Sequence, residues 1–219
     1  MNALRYRILL VDDHPIVRQG IRLLLAGEQR FEVCAEASSW PEALDAVAAC
    51  TPDAVVLDIS LRERMGLLLI QDMVAIVPHL RVLILSMHDE LVYAERAIVA
   101  GAHGYVMKTD AAQNVLEALD RVLAGGIYLG TRVAGLLLER ALHPSKGATR
   151  SGIESLTNRE LEVLSLIGTG LSSDSIATRL SLSVKTIEAH RGNIRSKLGL
   201  ETGESLLELA LRYTRDLRG

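Results

Sequence analysis

Four apolar runs in the first half of the chain end abruptly in a charged or hydroxyl residue. Ile8-Leu9-Leu10-Val11 ends at Asp12-Asp13, Val55-Val56-Leu57 at Asp58, Val82-Leu83-Ile84-Leu85 at Ser86, and Tyr105-Val106-Met107 at Lys108. Unbroken branched and aliphatic runs suit strands buried on both faces, as in a parallel sheet. With a weaker run around Val33 they predict strands at about 7–11, 32–36, 54–58, 81–86 and 104–107. The stretches between them predict helices at about 15–27, 40–50, 66–77, 89–100 and 111–124. Pro15 and Pro41 fit first-turn positions, where a missing N–H costs nothing, and Asp89 and Asp110 can cap orphan N–H groups. Five such strand–helix units predict one doubly wound α/β domain. An ionised Asp cannot stay unpaired inside such a layer, so Asp58 belongs where its strand leaves the core. With parallel strands, Asp12, Asp13, Asp58, Ser86 and Lys108 converge on the carboxyl edge, where open α/β sheets build their sites.

After Gly125-Gly126 the pattern decays. Val133 to Leu142 suits a short apolar helix, and His143 to Gly152 is a polar linker containing Pro and Gly. The expected organisation is a domain over 1–125, a linker with a short helix over 126–151, and a second domain over 152–219. The tail is all helical. Thr157-Asn158-Arg159-Glu160 has capping-box spacing for a helix from Asn158 to about Gly168. Ser172 or Ser173 caps a short helix ending near Leu180, and Ser183 caps a longer one from Val184 to Leu198, stopped by Gly199. Two helices split by Ser181-Leu182-Ser183 match a helix-turn-helix, whose second helix enters the DNA major groove.

At 219 residues, 49% hydrophobic and 23% charged, the chain is globular rather than disordered and long enough for two cores. No apolar run approaches a membrane span, and the start leads straight into a strand without a signal-peptide layout. The expectation is a cytoplasmic protein with no membrane role. Cys34 and Cys50 are too few and too far apart in sequence for a zinc site, and a reducing compartment argues against a disulfide, so both suit packing positions. His14 suits a helix start better than a ligand role, and His79, His88, His103 and His143 show no ligand spacing.

The net charge of -3 does not announce a nucleic-acid binder, and residues 152–219 hold nine Lys+Arg against nine Asp+Glu. Any DNA contact is therefore a local patch. Within Val184 to Leu198, Lys185, Arg191, Arg195 and Lys197 face one acid, Glu188, for a local +3. That is the footprint DNA requires. Val184, Ile187, Ile194 and Leu198 recur at helical spacing and suit the core. Lys185, Thr186 and Ala189 share the opposite face and are candidates for base edges. His190 and Arg191 are either solvated or touch phosphates, and Asn193, Arg195 and Lys197 complete the candidate DNA face. Leu206, Leu209, Ala210 and Tyr213 form the apolar face of a last helix. For Leu206, Leu209 and Tyr213 a dimer contact is favoured over packing, because a short domain has limited need for another apolar face.

Three crowded carboxylates repel one another unless a cation neutralises them, and oxygen ligands with several waters suit Mg²⁺. A metal beside a carboxylate oxygen, with Lys108 opposite, is a receptacle for a phosphoryl group. Leu10-Val11-Asp12-Asp13-His14, Val56-Leu57-Asp58, Leu85-Ser86 and Tyr105-Val106-Met107-Lys108 resemble the receiver domain of bacterial response regulators over about residues 5–125. The resemblance implies a flavodoxin-like five-stranded sheet in the order 2-1-3-4-5 and phosphorylation of Asp58 by a sensor histidine kinase. It implies Mg²⁺ held by Asp13, Asp58 and the Ser60 carbonyl, with Asp12 acting through water. Lys108 would then pair with the phosphoryl group, the Ser86 hydroxyl would move towards it, and Tyr105 would follow inward. The chain departs from the family in carrying Arg62-Glu63 where a Pro-Gly pair is usual, while Gly66 stands at the family's later glycine.

Over about 152–217 the chain resembles the LuxR-type helix-turn-helix of the NarL/FixJ subfamily. The likeness is carried by Leu156-Thr157-Asn158-Arg159-Glu160, Gly170-Leu171-Ser172, Ile176-Ala177 and Val184 to Ile194. Together the two resemblances imply a two-component transcription regulator that binds double-stranded promoter half-sites as a homodimer. It would be no enzyme beyond accepting a phosphoryl group and, at most, losing it slowly. Two alternatives stand beside this reading: a receiver that controls DNA binding without phosphorylation, and an aspartate-nucleophile phosphohydrolase. The latter usually has a second acid two residues after its nucleophile, where this chain has Ser60.

Overall fold

The apolar runs pair into a single parallel sheet. In the computed structural model, which describes residues 5–61, 66–88, 90–142, 152–200 and 205–216, its strands are β1 (Tyr6–Val11), β2 (Phe31–Ala37), β3 (Ala54–Leu57), β4 (Arg81–Ser86) and β5 (Gly104–Met107). Their order is β2-β1-β3-β4-β5, as the resemblance implies, and every pairing is parallel. Helices α1 (Pro15–Ala26), α2 (Trp40–Cys50), α3 (Leu67–Ile76), α4 (Glu90–Ala100) and α5 (Ala111–Leu123) form the crossovers. The runs of β1, β3 and β4 are central because they are apolar on both faces. Ile8, Leu10, Val56, Leu83 and Leu85 pack with Ile21 and Leu25 of α1 and Val115 and Leu119 of α5. Leu9, Val11, Val55, Leu57, Val82 and Ile84, one residue out of phase, are equally buried on the opposite face.

The helix starts agree with the sequence in part. Pro15 and Pro41 occupy first-turn positions of α1 and α2. Asp110 makes no side-chain cap: the chain enters α5 through a 3₁₀ turn, Lys108–Asp110, which leaves Asp110 at φ -106, ψ 6. An extended residue aims its carboxylate at the orphan N–H groups, and this conformation does not. Asp89 and the loop 62–65 lie outside the described residues. The chain also stays with the sheet beyond Gly125. Tyr128 bridges to Gly104 and exchanges backbone hydrogen bonds with His103 and Tyr105 at 3.0 and 2.9 Å. Helix α6 (Thr131–Leu142) follows, and the chain divides into two compact units between Leu138 and Glu139.

Gly66 explains why the acidic end of β3 tolerates no side chain behind it. A Cβ there would lie 2.5 Å from the Asp58 carbonyl oxygen, and the Gly66 N–H donates to Ile59 at 2.7 Å. The start of α3 is thereby held against the strand end that carries Asp58.

The second unit is helical, with α7 (Asn158–Gly168), α8 (Ser173–Leu180), α9 (Val184–Leu198) and α10 (Leu206–Asp216). Thr157 and Glu160 form the expected reciprocal capping box. Ser172 caps α8 and Ser183 caps α9, each hydroxyl accepting the N–H three residues on. Ser181 closes α8 in the left-handed region at φ 53, and Gly199 closes α9 at φ 65. Arg159 ties α7 to the end of α8 through the Leu180 carbonyl at 3.1 Å. Ile187 and Ile194 of α9 are fully buried, whereas Val184, expected in the core, is 40% exposed at the first turn, where no neighbouring turn covers it. Leu206, Ala210 and Tyr213 bury α10 in the domain, and the Thr214 hydroxyl crosses to the Ser165 carbonyl of α7.

Two buried details of this unit set its stability. The Glu160 carboxylate takes the Thr157 N–H and the Lys197 ammonium, both at 2.7 Å. Burial pushes its pKa up, but these bonds outweigh burial and hold it below the usual glutamate value. Stability from this ionisation is complete above the unfolded value and is lost as pH falls through the folded one. Glu160→Gln should cost about 1 to 2 kcal/mol at neutral pH, with variant and parent converging under acid in denaturation measured across pH. At Gly168, an added Cβ would run into Thr214 Oγ1 and the Ala210 carbonyl. Two of the three atoms nearest that Cβ are backbone, so Gly168→Ala should destabilise the unit by about 2 to 4 kcal/mol, read by thermal unfolding.

Candidate functional site

The carboxyl edge of the sheet gathers the polar residues that close its strands. Asp58 and Ser86 are 1% and 0% exposed, and Asp12 is 5% exposed. Lys108, at the end of β5, reaches Asp58 Oδ2 at 2.8 Å and lies 2.7 Å from Asp12 Oδ2. Asp58 Oδ1 accepts the Ser60 N–H at 3.0 Å. Burial pushes the Asp58 carboxyl above the usual aspartate range; Lys108 opposes this and the Asp12 charge adds to it. Burial also pulls Lys108 down, but Asp58 and Asp12 around its ammonium more than offset this and hold its pKa above the ordinary lysine value.

Two histidines join the edge that the sequence did not place there. His14 precedes α1, as expected of a helix-start residue, but its Nδ1 also stands 3.1 Å from Asp12 Oδ1 and 2.7 Å from Asp13 Oδ1. His88 is buried, with Nε2 2.5 Å from the Ser60 hydroxyl and its backbone N–H donated to the Ser86 hydroxyl at 3.1 Å. Burial, then the Lys108 charge, pull the His88 imidazole down to about 4, so it is neutral at physiological pH. Tyr105 donates its hydroxyl to the His88 carbonyl at 2.8 Å and is itself 1% exposed. The inward position expected of it after phosphorylation is therefore already filled here. The only sequence signal for His88 was its place two residues beyond Ser86.

The donor set fits a hard divalent cation. Asp12, Asp13, His14 and Asp58 each offer a ligand atom within 4.8 Å of the others, and three of the four are carboxylate oxygens. Asp12 Oδ2 is buried against the Lys108 ammonium at 2.7 Å, and a divalent cation at this edge would share that oxygen.

In the second unit, α9 presents Lys185, Ala189, Asn193 and Arg195 to solvent, with Thr186 and His190 half-buried beside them. Thr186 Oγ1 is 2.7 Å from the Ser183 hydroxyl at the helix start. Arg191 is half-buried, its Nε 3.7 Å from Glu188, too long for a hydrogen bond. Lys197 is exposed but its ammonium is taken by Glu160, with which any phosphate would compete. Val184, apolar and exposed beside Lys185, belongs to this face although the sequence assigned it to the core.

The candidate dimer residues need a correction. Leu206 and Tyr213 are buried in their own domain at 4% and 7% exposure, and Leu209 is half-buried. The apolar positions α10 turns outward are Leu207 and Leu211, 47% and 43% exposed. The sequence pattern showed an apolar stripe but not which of its two edges α7 covers.

Comparison with known proteins agrees with both halves. Residues 8–120 match the response regulator receiver domain, and residues 154–210 match the LuxR family of bacterial regulatory proteins. The chain is 34% identical over 198 residues to a nitrate/nitrite response regulator protein homolog of Haemophilus influenzae, covering 90% of this chain and 92% of the relative. It is 33% identical over 210 residues to the oxygen regulatory protein NreC of Staphylococcus aureus, covering 94% and 97%. Among solved structures it resembles RcsB of Salmonella enterica serovar Typhimurium bound to a promoter with phosphomimetic BeF3-. That match has a TM-score of 0.73 and 25% identity, covering 96% of this chain and 98% of that one. Among the described residues no helix is long and apolar enough to cross a membrane. A receiver domain followed by a LuxR-type helix-turn-helix places the chain among the two-component response regulators of the NarL/FixJ family.

Proposed function

We propose that this response regulator works in the cytoplasm, is switched by Mg²⁺-dependent phosphorylation of Asp58 by a cognate sensor histidine kinase, and then binds promoter half-sites as a homodimer through its LuxR-type domain. The observation that carries the reading is Lys108, whose ammonium stands between the buried carboxylates of Asp12 and Asp58 at 2.7 and 2.8 Å. An Asp58 oxygen attacks phosphorus, the phosphorus–nitrogen bond of the donor histidine breaks, and Lys108 swings from the carboxylate to a phosphoryl oxygen. Mg²⁺, held by Asp12, Asp13, Asp58 and the Ser60 carbonyl, would supply charge neutralisation at the equatorial oxygens. The Ser86 hydroxyl, which accepts the His88 backbone N–H among the hydrogen bonds described, would turn towards the phosphoryl group. The role is that of a phosphoryl acceptor rather than an enzyme.

On the DNA side, Lys185, Thr186 and Ala189 are proposed to meet base edges, with His190, Arg191, Asn193 and Arg195 nearer the phosphates. Lys197 contributes only by leaving Glu160. Leu207 and Leu211 replace Leu206 and Tyr213 as the apolar contact between DNA-binding domains. Phosphorylation and dimeric binding are then coupled, and a coupling of about 1 to 3 kcal/mol is the ordinary scale of such linkage.

A small-molecule phosphodonor with Mg²⁺ should add one base-labile acyl phosphate, seen by intact mass. Asp58→Asn should abolish it, since an amide is a poor nucleophile and metal ligand; label persisting in that variant would move the acceptor elsewhere. In gel shifts, Lys185→Ala should cost about 1 to 3 kcal/mol on the specific operator alone. Arg195→Ala should weaken binding on every sequence and flatten the salt dependence by about one charge. Unchanged operator affinity in Lys185→Ala would remove it from the base-reading face.

A further inference from the structure

We propose that Cys34 and Cys50 form a dithiol–disulfide site that reversibly staples the sheet's edge strand β2 to helix α2. Their sulfurs stand 2.9 Å apart, with the Cys34 thiol donating to Cys50. Both are free thiols.

Two backbone irregularities bring the sulfurs together. Ile8 pairs with Val33 but Leu9 pairs with Ala35, so Cys34 is an extra residue inserted into β2. Bulges are rare between parallel strands and act by re-aiming side chains. In a regular strand, positions 34 and 36 share a face. Here Glu36 reaches Arg18 and Arg22 of α1 at 3.2 and 3.6 Å, while Cys34 meets α2 on the other face of the sheet. From the helix side, Cys50 is the last residue of α2. The next residue, Thr51, holds the left-handed φ 40, ψ 65, a costly conformation for a β-branched side chain, and its N–H closes on Val47.

A disulfide spans about 2.05 Å between sulfurs, so the bond needs less than an ångström of approach and no re-routing of the chain. Cys34 is half-buried and reachable, and Cys50 is 7% exposed behind it. The chemistry with glutathione disulfide balances. The Cys34 thiolate attacks one glutathione sulfur and releases a glutathione thiolate. Cys50 then gives up its proton, attacks the Cys34 sulfur of the mixed disulfide, and releases the second glutathione. Two electrons pass from the protein thiols to the glutathione disulfide, and the two cysteine protons end on the two glutathiones. Burial, then the bond to Cys50, push the Cys34 thiol up to about 12, so exchange is slow and the pair follows sustained oxidation rather than a brief pulse.

The test equilibrates the native full-length chain for hours in glutathione buffers of increasing disulfide fraction, then traps with acid, alkylates and maps peptides. The expected result is a monomer lacking two hydrogens, a Cys34–Cys50 linked peptide, full reversal by dithiothreitol, and a receiver Tm raised by about 5 to 15 °C. Cys34→Ser and Cys50→Ser, checked for native circular dichroism, should each abolish both the linked peptide and the Tm rise, and Cys50→Ser should stop at the glutathione adduct of Cys34. Two thiols still open to alkylation at the most oxidising poise would overturn the proposal. So would a linkage found only between chains, only after denaturation, or with a lowered Tm.

Discussion

Everything at the working edge depends on one ammonium among three carboxylates. Asp12, Asp13 and Asp58 carry three negative charges and Lys108 returns one, which leaves two for a divalent cation to neutralise. Each carboxylate alone is a cost, since an ion taken from water is repaid only by well-placed partners. The sheet supplies that placement because all five strands are parallel and the polar residues closing β1, β3, β4 and β5 reach the same edge. Moving Lys108 off Asp58 would therefore unbalance the edge, and under the proposed function a phosphoryl group on Asp58 is the charge that would draw it away.

Much of this was legible because the apolar runs fix strand burial and the residue after each run has nowhere else to go. Asp12, Asp58, Ser86 and Lys108 follow from that rule alone. His14 and His88 do not, because their side chains reach the edge through loop geometry, where no period governs direction. His88 also shows why a residue without ligand spacing can still sit in a site: its partners come from separate segments, Ser60 from the loop after β3, Ser86 from the end of β4 and Tyr105 from β5. Asp110 failed as a cap for a related reason, a local 3₁₀ turn that composition does not announce.

Separation along the chain misled most at the cysteines. Sixteen positions apart, they looked unrelated, and the compartment argument made them packing residues. A bulge is invisible to a period-of-two reading because it adds one residue without changing the residue types on either side. The same insertion that turns Cys34 towards α2 also turns Glu36 towards Arg18, whose guanidinium donates to the Asp12 carbonyl at 2.5 Å. Edge strand and acidic edge thus share a hydrogen-bonded chain, although no coupling energy follows from adjacency alone.

The DNA-binding unit meets a different constraint. Its residues 152–219 balance nine basic against nine acidic groups, and of the four basic residues on α9, Lys197 is engaged by Glu160 and Arg191 is half-buried near Glu188. Lys185 and Arg195 remain as the exposed basic residues of that helix with no ion pair described to an acid. Phosphate contacts contribute to affinity roughly in proportion to the counterions they release, so a single such unit has little to offer on its own. Two copies on adjacent half-sites double the phosphate contacts without altering either surface, and dimer spacing then reads the operator as well. A nearly neutral reading domain is for this reason suited to the proposed control by a receiver: its affinity would depend on being paired, and pairing is what a charge added at Asp58 would bias.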